Sequence, residues 1–592
     1  MEAAANQKRC RWLAIAGLSL LVILGAWLRL HHLDEASVTH VEMYVPGIRM
    51  PRGISVPGER LTLAKTITGT FSSDTHPPAF YVLMWAWTKC FGAGASSIRL
   101  PAALLGIACI PLIFRLGTLT RQWTAAWIAA ALLAVNGHQI FWSQIARMFT
   151  LACCLGLLAT ILLLRIAKDP RASRSLGFLY VLALLAGVAS HVFFWAILGT
   201  HILWTLLNAW GSQRPFPAAA KLQFLALILG SPFLAFAAYQ SGNELAALSS
   251  SIFVYAREFL QFAFAFPLVG FSSGVYPLDS QAPLVDDPHL SLARWLFFLV
   301  SLVFFCAGIA GMRKSEDESL GETRGPSPRA WWLASALAAC AILGFVFMAK
   351  AFAKPHPNPT LRVTEIMAVA PFALATLATL LHKNWRRITA WRIAFLESRF
   401  IAGDQALVLA LAVVPFAALA VASRFKPMFN ERGMLLLGPY MLLVLAWGIA
   451  HVGRNRIVVA VLLVLLCATE YSGFRQYRRM SAGRADYKAF AAALAPRIDE
   501  SDLVFLAPSW YATPLFYYVH SGWDRFVGSD YEAACRRDPR ASVWVLTFPN
   551  YEQPYYEQEV PPEIQEALRN YRPVETVNAP DARAVLYSPE NP

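Results

Sequence analysis

Charge is scarce in this chain. Only 15% of its 592 residues are Asp, Glu, Lys or Arg, against 57% hydrophobic ones, and the mean hydropathy is +0.46. That balance excludes an ordinary soluble domain. Metal and disulfide signatures are missing as well. The 9 cysteines are scattered, and Cys109, Cys153, Cys154, Cys306, Cys340 and Cys467 lie in apolar runs. With no CxxC and no Cys/His ligand spacing, a structural zinc and a disulfide framework are excluded. Cys535 stands alone in the polar tail, which therefore closes no internal disulfide. There is no GxGxxG and no Walker motif, hence no nucleotide-binding signature, and no repeat of about 20–50 residues. The net charge of +14 does not indicate nucleic acid. The basic residues fall mostly in short loops between apolar runs, where they set membrane orientation.

What the chain has is apolar runs of spanning length. Runs of about 18 or more residues are membrane helices by the length argument. The first, "WLAIAGLSLLVILGAWLRL", follows Lys8, Arg9 and Arg11, with no small-residue cleavage site after it. It reads as an uncleaved first helix running outward from a cytoplasmic N-terminus. A polar loop follows, from His31 to about Thr75, within a first outer segment of residues 31–97. "AFYVLMWAWTKCFG" is too short to span comfortably and reads as interfacial. "IRLPAALLGIACIPLIFRLG", "AAWIAAALLAVNGHQIFW" and "TLACCLGLLATILLLRI" then alternate in direction. Further runs start at Ser175, Phe193 and Leu222, another leads inward to the charged loop "RKSEDESLGETRGPSPR", and the rest lie near 331–350, 364–382, 405–423, 433–450 and 457–471. Residues 240–293 read as a long outer segment, partly re-entrant or interfacial. The expectation is a polytopic α-helical membrane protein with about thirteen spans, divided as a membrane domain, 1–471, and a soluble extracytoplasmic α/β domain, 472–592. In that tail "RADYKAFAAALAPRI" has helical periodicity, while "DLVFLAP", "SVWVLTF" and "ARAVLYS" read as short buried strands.

The polar clusters gather on the outer side. The first loop carries Asp34, Glu35, His40 and Glu42. Asp74 and His76 precede Pro77 and Pro78, which fit a helix start. Arg147 lies in "SQIARMF", His191 at an outer helix end, Arg362 and Glu365 in "NPTLRVTEIM", and Lys426, Glu431 and Arg432 in "RFKPMFNERGMLLLGPY". A carboxylate at this face can take the proton of an attacking hydroxyl. Arginines can hold a phosphate and stabilise the charge on it as it leaves. Each residue also has a plainer reading. Arginines at helix ends snorkel to headgroups, a lone interfacial His is often structural, and Asp74–His76 is also what an Asx turn feeding a helix looks like. On residues alone the chain is an outward-facing membrane enzyme or transporter.

"DTHPPAFYVLMWAWTKCFGAGASSIRLPAALLGI", followed by "NGHQIFWSQIARMFTL", resembles glycosyltransferase family 39. These are polyprenyl-phosphate-sugar-dependent membrane transferases of the GT-C fold, akin to protein mannosyltransferases and lipid A aminoarabinose transferases. The resemblance covers residues 13–166, weakens, and returns at "PMFNERGMLLLGPYMLLVLAWGI" and in the tail. It implies a bacterial inner-membrane enzyme that moves a sugar from a polyprenyl-phosphate donor to an extracytoplasmic acceptor, in contact with membrane lipid. The family carries an Asp-Glu pair after helix 1. Here Val41 stands at the Asp position and Glu42 at the Glu position. Glu42 is the expected base, with Asp34 and Asp74 as the other catalytic carboxylates. Arg147, Arg432 and Arg362 are expected on the donor phosphate, and His76 and His191 on the acceptor or on a divalent metal. The rival expectation is a lipid-linked-sugar transporter or a non-catalytic envelope assembly protein with a degenerate site. Transporters tend to show repeat symmetry and broken helices at the bilayer midplane, whereas here the polar residues gather at one face.

Overall fold

A computed structural model of the chain describes residues 2–48, 62–73, 76–168, 174–212, 218–242, 304–309, 403–425, 433, 435–452, 457, 460, 464, 487–507, 513–518, 526–527, 529–547, 560–579 and 582–590. Asp74, Arg362 and Arg432 lie outside them, as do the expected spans near 331–350 and 364–382, most of that near 457–471, and nearly all of segment 240–293.

The membrane part is a bundle of helices: α1 (Glu2–Leu30), α4 (Ala95–Leu119), α5 (Trp123–Val135), α6 (Gly137–Ser143), α7 (Phe149–Lys168), α8 (Arg174–Val188), α9 (Phe194–Ser212), α10 (Ala218–Gly242), α11 (Asp404–Phe425) and α12 (Gly438–Val452). Two shorter helices, α2 (Leu63–Ser73) and α3 (Ala79–Phe91), lie between α1 and α4. Among the described residues three helices are long and apolar enough to cross a membrane, Trp12–Leu30, Ala95–Leu119 and Phe149–Lys168. A fourth is reached if α5 and α6 count as one bent span. Large apolar side chains point outward from α1, α8 and α10, among them Leu20, Ile23, Trp27, Phe178, Phe224 and Ile228. Such surface suits lipid rather than water.

Inside the bundle a chain of hydrogen bonds joins five helices. Tyr440 Oη pairs with Thr160 Oγ1 at 3.0 Å, and Thr160 Oγ1 with His201 Nε2 at 3.1 Å. His201 Nδ1 pairs with Tyr180 Oη at 3.1 Å, and Gln223 Nε2 donates to Tyr180 Oη and to Thr205 Oγ1. All are buried. Polar pairs of this kind fasten helices where apolar packing against lipid-like neighbours gives no preference.

The sequence reads "AAWIAAALLAVNGHQIFW" as one span. The structure breaks it at Asn136, with α5 and α6 bent by 53°. Asn136 is extended (φ −61, ψ 117) and its side chain accepts from Gln139 N at 3.0 Å, which caps α6. The carbonyls freed at the end of α5 are met by Arg29, wholly buried at the end of α1. Its Nη1 donates to Ala134 O at 2.9 Å and its Nη2 to Leu133 O at 3.0 Å. A cation there also faces the negative end of the α5 dipole.

The C-terminal part is a five-stranded sheet in the order β2-β1-β3-β5-β4, with strands β1 (Leu503–Ala507), β2 (Phe526–Val527), β3 (Val543–Thr547), β4 (Tyr571–Ala579) and β5 (Ala582–Pro589). β1 pairs in parallel with β2 and β3; β5 pairs antiparallel with β3 and β4. β1 and β3 are buried along their whole length, as near-continuous apolar runs in a covered sheet must be. Helices α13 (Tyr487–Leu494) and α14 (Thr513–Tyr518) pack on one face, α15 (Tyr531–Arg537) and α16 (Pro562–Ala567) on the other.

The sheet domain docks on the loop after α1 and on the turn before α4 through α14. Tyr518 Oη accepts from Val38 N at 2.7 Å, and Tyr517 Oη donates to Ala93 O at 2.8 Å. Lys488 N donates to Ser37 Oγ at 3.2 Å.

Candidate functional site

The opening of α3 explains the two prolines. Pro78 caps the helix in helical backbone (φ −79, ψ −14), and its carbonyl accepts from Val82 N. Ala79 N donates outward to Ala189 O at 2.8 Å, in the corner between α8 and α9. The stretch is therefore pinned to that corner, and His76 stacks on His191 there, ring centroids 5.6 Å apart and 24° between planes. Phe149, at the start of α7, lies against both imidazoles.

Arg147 sits beside them in the short turn between α6 and α7, only 5% exposed. Its Nη1 donates to Tyr81 Oη at 2.8 Å and to Val41 O at 3.2 Å, and its guanidinium lies over the Tyr44 ring at 5.4 Å. This geometry joins the first loop, the His-Pro-Pro helix and the "SQIARM" turn at one point. A guanidinium set by a phenol and a carbonyl keeps a defined direction, which a phosphate site needs.

The sequence gives Glu42 the role of general base, but the structure encloses it. Glu42 is fully buried in a 3-10 turn, His40–Tyr44. Its Oε1 accepts from Arg99 Nε at 2.8 Å and from Ala146 N at 2.9 Å. Its Oε2 accepts from Arg99 Nη2 at 2.7 Å, from Thr39 N at 2.9 Å and from Thr39 Oγ1 at 3.3 Å. Burial alone would raise the carboxyl's pKa. The Arg99 charge and the hydrogen bonds from Arg99, Thr39 and Ala146 outweigh it and hold the group below the usual carboxylate range. A carboxylate so saturated is a poor proton acceptor. It is well placed to anchor: it ties the first loop to Arg99 on α4 and to the backbone next to Arg147.

Arg99 completes the anchor. Its Nη1 donates to Leu33 O at 2.9 Å and Ala36 O at 2.8 Å, and its Nη2 also donates to Ser37 O at 2.9 Å. One guanidinium thus gathers three loop carbonyls and one carboxylate, with all its donors used. The sequence showed Arg99 only as part of "IRLP" and assigned it no role; its spacing from Glu42 carries no periodic signal.

Asp34, in contrast, is exposed on the loop surface. His76 and His191 do not form a metal site by themselves. His191 Nδ1 already accepts from Phe193 N at 3.1 Å, and no group of three or more His, Cys, Asp or Glu able to hold a metal occurs among the described residues. Burial, and then the Arg147 charge, push the His191 pKa down to about 3. A neutral buried imidazole contributes to acid sensitivity with a definite sign. Between about 3 and the ordinary value near 6.5 the unfolded chain binds the proton and the folded one does not, so stability falls as pH drops through that window. Taking the full shift, the loss at pH 5 is ~2 kcal/mol. His191→Gln is expected to flatten this part of the profile, seen as a smaller drop in unfolding temperature between pH 7 and pH 5 in lipid discs. An unchanged drop would mean that His191 is protonated in the fold.

No protein-family model matches the chain, and no curated protein does. Among solved structures, the chain is similar to ArnT from Cupriavidus metallidurans bound to undecaprenyl phosphate: 13% identity, TM-score 0.37, covering 97% of this chain and 98% of that one. It is also similar to the oligosaccharyltransferase AglB from Archaeoglobus fulgidus, in complex with an inhibitory peptide and a dolichol-phosphate: 12% identity, TM-score 0.43, covering 97% and 74%. An Archaeoglobus fulgidus oligosaccharyltransferase in complex with Zn and sulfate is similar at 12% identity and TM-score 0.42, covering 97% and 73%.

Proposed function

We propose that this chain is a polytopic membrane glycosyltransferase of the GT-C type, using a polyprenyl-phosphate-linked sugar and an extracytoplasmic acceptor at the inner membrane of a bacterium. The observation that carries the reading is the meeting of its three resembling segments: Glu42 with Arg99 and Ala146 N, and Arg147 with Val41 O and Tyr81 Oη. In this reading Arg147 binds the donor phosphate, aided by Arg432 and Arg362. Tyr81 and Val41 O aim it. His76 and His191 form the wall against which the sugar phosphate lies. Glu42 positions and does not take the proton.

The reaction is a direct displacement. The acceptor hydroxyl oxygen bonds to the anomeric carbon as the bond from that carbon to the phosphate oxygen breaks. The electron pair leaves with polyprenyl phosphate, where the arginine charge stabilises it. The hydroxyl proton goes to a carboxylate with an uncommitted oxygen. Asp34 is one such group, making no hydrogen bond or ion pair among the described residues. Asp74, two residues before His76 in the sequence, is a second candidate by position.

Purified protein in lipid discs, given polyprenyl-phosphate hexoses or pentoses singly with an envelope extract, is expected to release free polyprenyl phosphate. Arg147→Ala should lower the turnover about 100–1,000-fold, the size of a lost electrostatic contact to developing charge. Asp34→Asn and Asp74→Asn identify the base by which of them abolishes release. Val41 at the position of the usual Asp favours a second reading, a non-catalytic or transport role. Absence of release from every donor, with lipid-linked sugar still moving across the disc-free vesicle membrane, would establish that reading instead.

A further inference from the structure

Two adjoining cavities share Asp34, Ser96 and Ser97, and one of them opens where the membrane bundle meets the sheet domain. One, of about 300 Å³, is the more polar of the two, the shared residues being joined by Lys488, Tyr517 and Tyr518. The other, of about 430 Å³, is walled by Leu30, Leu33, Trp87, Phe91 and Leu100, with His32 beside them. Both volumes lie at the lower end of the range for small-molecule sites. The apolar cavity sits where α1 ends and α4 begins, at the boundary of two spanning helices. The polar one faces the docked α13 and α14 of the sheet domain.

The lining is built on fixed walls. Trp87 Nε1 donates to Ser97 O at 2.9 Å, and the Trp87 and Phe91 rings are 4.2 Å apart. Tyr517 is held by Ala93 O and Tyr518 by Val38 N. The Asp34 carboxylate, the Ser96 hydroxyl and the Lys488 ammonium make no hydrogen bond or ion pair among the described residues. One acid and one base leave the polar cavity without a dominant sign of charge. A phosphate headgroup would gain from Lys488 about what it loses to Asp34, so the cavity does not favour an anion. Sugar hydroxyls, which both donate and accept, match a carboxylate, an ammonium and hydroxyls together, and the aromatic walls offer apolar area beside them.

We infer that this double cavity binds a glycolipid, with its acyl or prenyl chain along Leu30, Trp87 and Phe91 and its uncharged sugar headgroup between Asp34, Ser96 and Lys488. The inference rests on the transferase reading in one respect: such a molecule is the acceptor, presented from the membrane to the site. The sheet domain then has a function in recognition, since it supplies one wall.

The test is photolabelling of the full-length protein in lipid discs with a dodecyl β-glucoside carrying a diazirine on its chain, without donor. Label is expected on residues 30–34 and 87–100. Unlabelled dodecyl β-glucoside should compete, and dodecyl phosphate should not. Ser96→Trp, which fills the shared space, and Asp34→Asn, a surface change that spares folding, should each cut labelling about ten-fold, a loss of about 1.4 kcal/mol in binding. Arg569→Ala, remote in the sheet domain, should leave it unchanged. Labelling that ignores both cavity variants, or that dodecyl phosphate displaces better than the glucoside, overturns the inference. The readout needs no turnover, so the two readings fail separately. Specific labelling with no release from any donor keeps the site and removes the transferase. Release with non-specific labelling does the reverse.

Discussion

Glu42→Gln is expected to destabilise the fold by about 3–5 kcal/mol, the cost of leaving one partner of a buried ion pair uncompensated. Glu42 and Arg99 are both essentially without solvent exposure, and the carboxylate serves donors from three segments. A glutamine offers one acceptor oxygen where the carboxylate offers two, and its amide would point donors at Arg99, Thr39 or Ala146 N. Thermal unfolding in lipid discs measures the loss. Glu42→Leu combined with Arg99→Met should recover much of it, because a buried pair replaced as a unit by apolar side chains of similar volume is tolerated far better than a broken one. That recovery separates an anchoring role from a proton-transfer role, since it would restore folding and leave the site misaligned. A Glu42→Gln protein as stable as wild type but inactive would instead return Glu42 to the position of base. The pH dependence has the opposite origin to that of His191 but the same direction. The depressed Glu42 pKa contributes stability above the ordinary carboxylate value, and that contribution is lost as pH falls through the folded value.

Gly106→Val is the second large effect. A side chain at Gly106 would place its Cβ 2.1 Å from Ser143 Oγ, 2.9 Å from Ser143 Cβ and 3.2 Å from Arg29 Nε. The hydroxyl can turn away, but the Ser143 Cβ cannot, so α4 and α6 must separate. Overpacking of this kind costs about 1–3 kcal/mol. The displaced α6 ends four residues before Arg147, and a shift of about 1 Å at a reacting group can cost 100-fold in rate. Donor release should therefore fall well beyond what the loss of folded protein explains. Gly106→Ala should be milder, and Ser143→Ala should partly rescue it by removing the closest atom. Wild-type unfolding temperature and wild-type release in Gly106→Val would show that the two helices are not in contact.

Much of the architecture could be read along the chain. The spanning segments follow from runs of apolar residues, because the bilayer demands length and hydropathy and little else. α1, α4 and α7 cover the runs that carry this signal. β1, β3 and β5 likewise cover "LVFLA", "VWVLT" and "ARAVLYSP", short apolar stretches of strand length. Periodicity does not report on caps held from elsewhere in the chain. The break at Asn136 depends on Arg29, more than a hundred residues earlier, accepting burial to satisfy Leu133 O and Ala134 O. Strands β2 and β4 were also unread, the first because two residues carry no pattern and the second because its side chains are mostly exposed.

The site divides the same way. By itself the sequence determined which polar residue types stand between the apolar runs: the carboxylates of the first loop, the His-Pro-Pro stretch and Arg147. It also determined that Pro77 and Pro78 open a helix, because proline's constraint is local. Only the tertiary structure decided what each group touches. Glu42 and Asp34 are eight residues apart and chemically alike, yet one is sealed by five donor contacts and the other faces a cavity. The difference comes from Arg99, Ala146 and Thr39 converging on the first and from nothing among the described residues converging on the second. A carboxylate's role follows from its desolvation and its partners, and both are properties of packing between segments far apart in the chain.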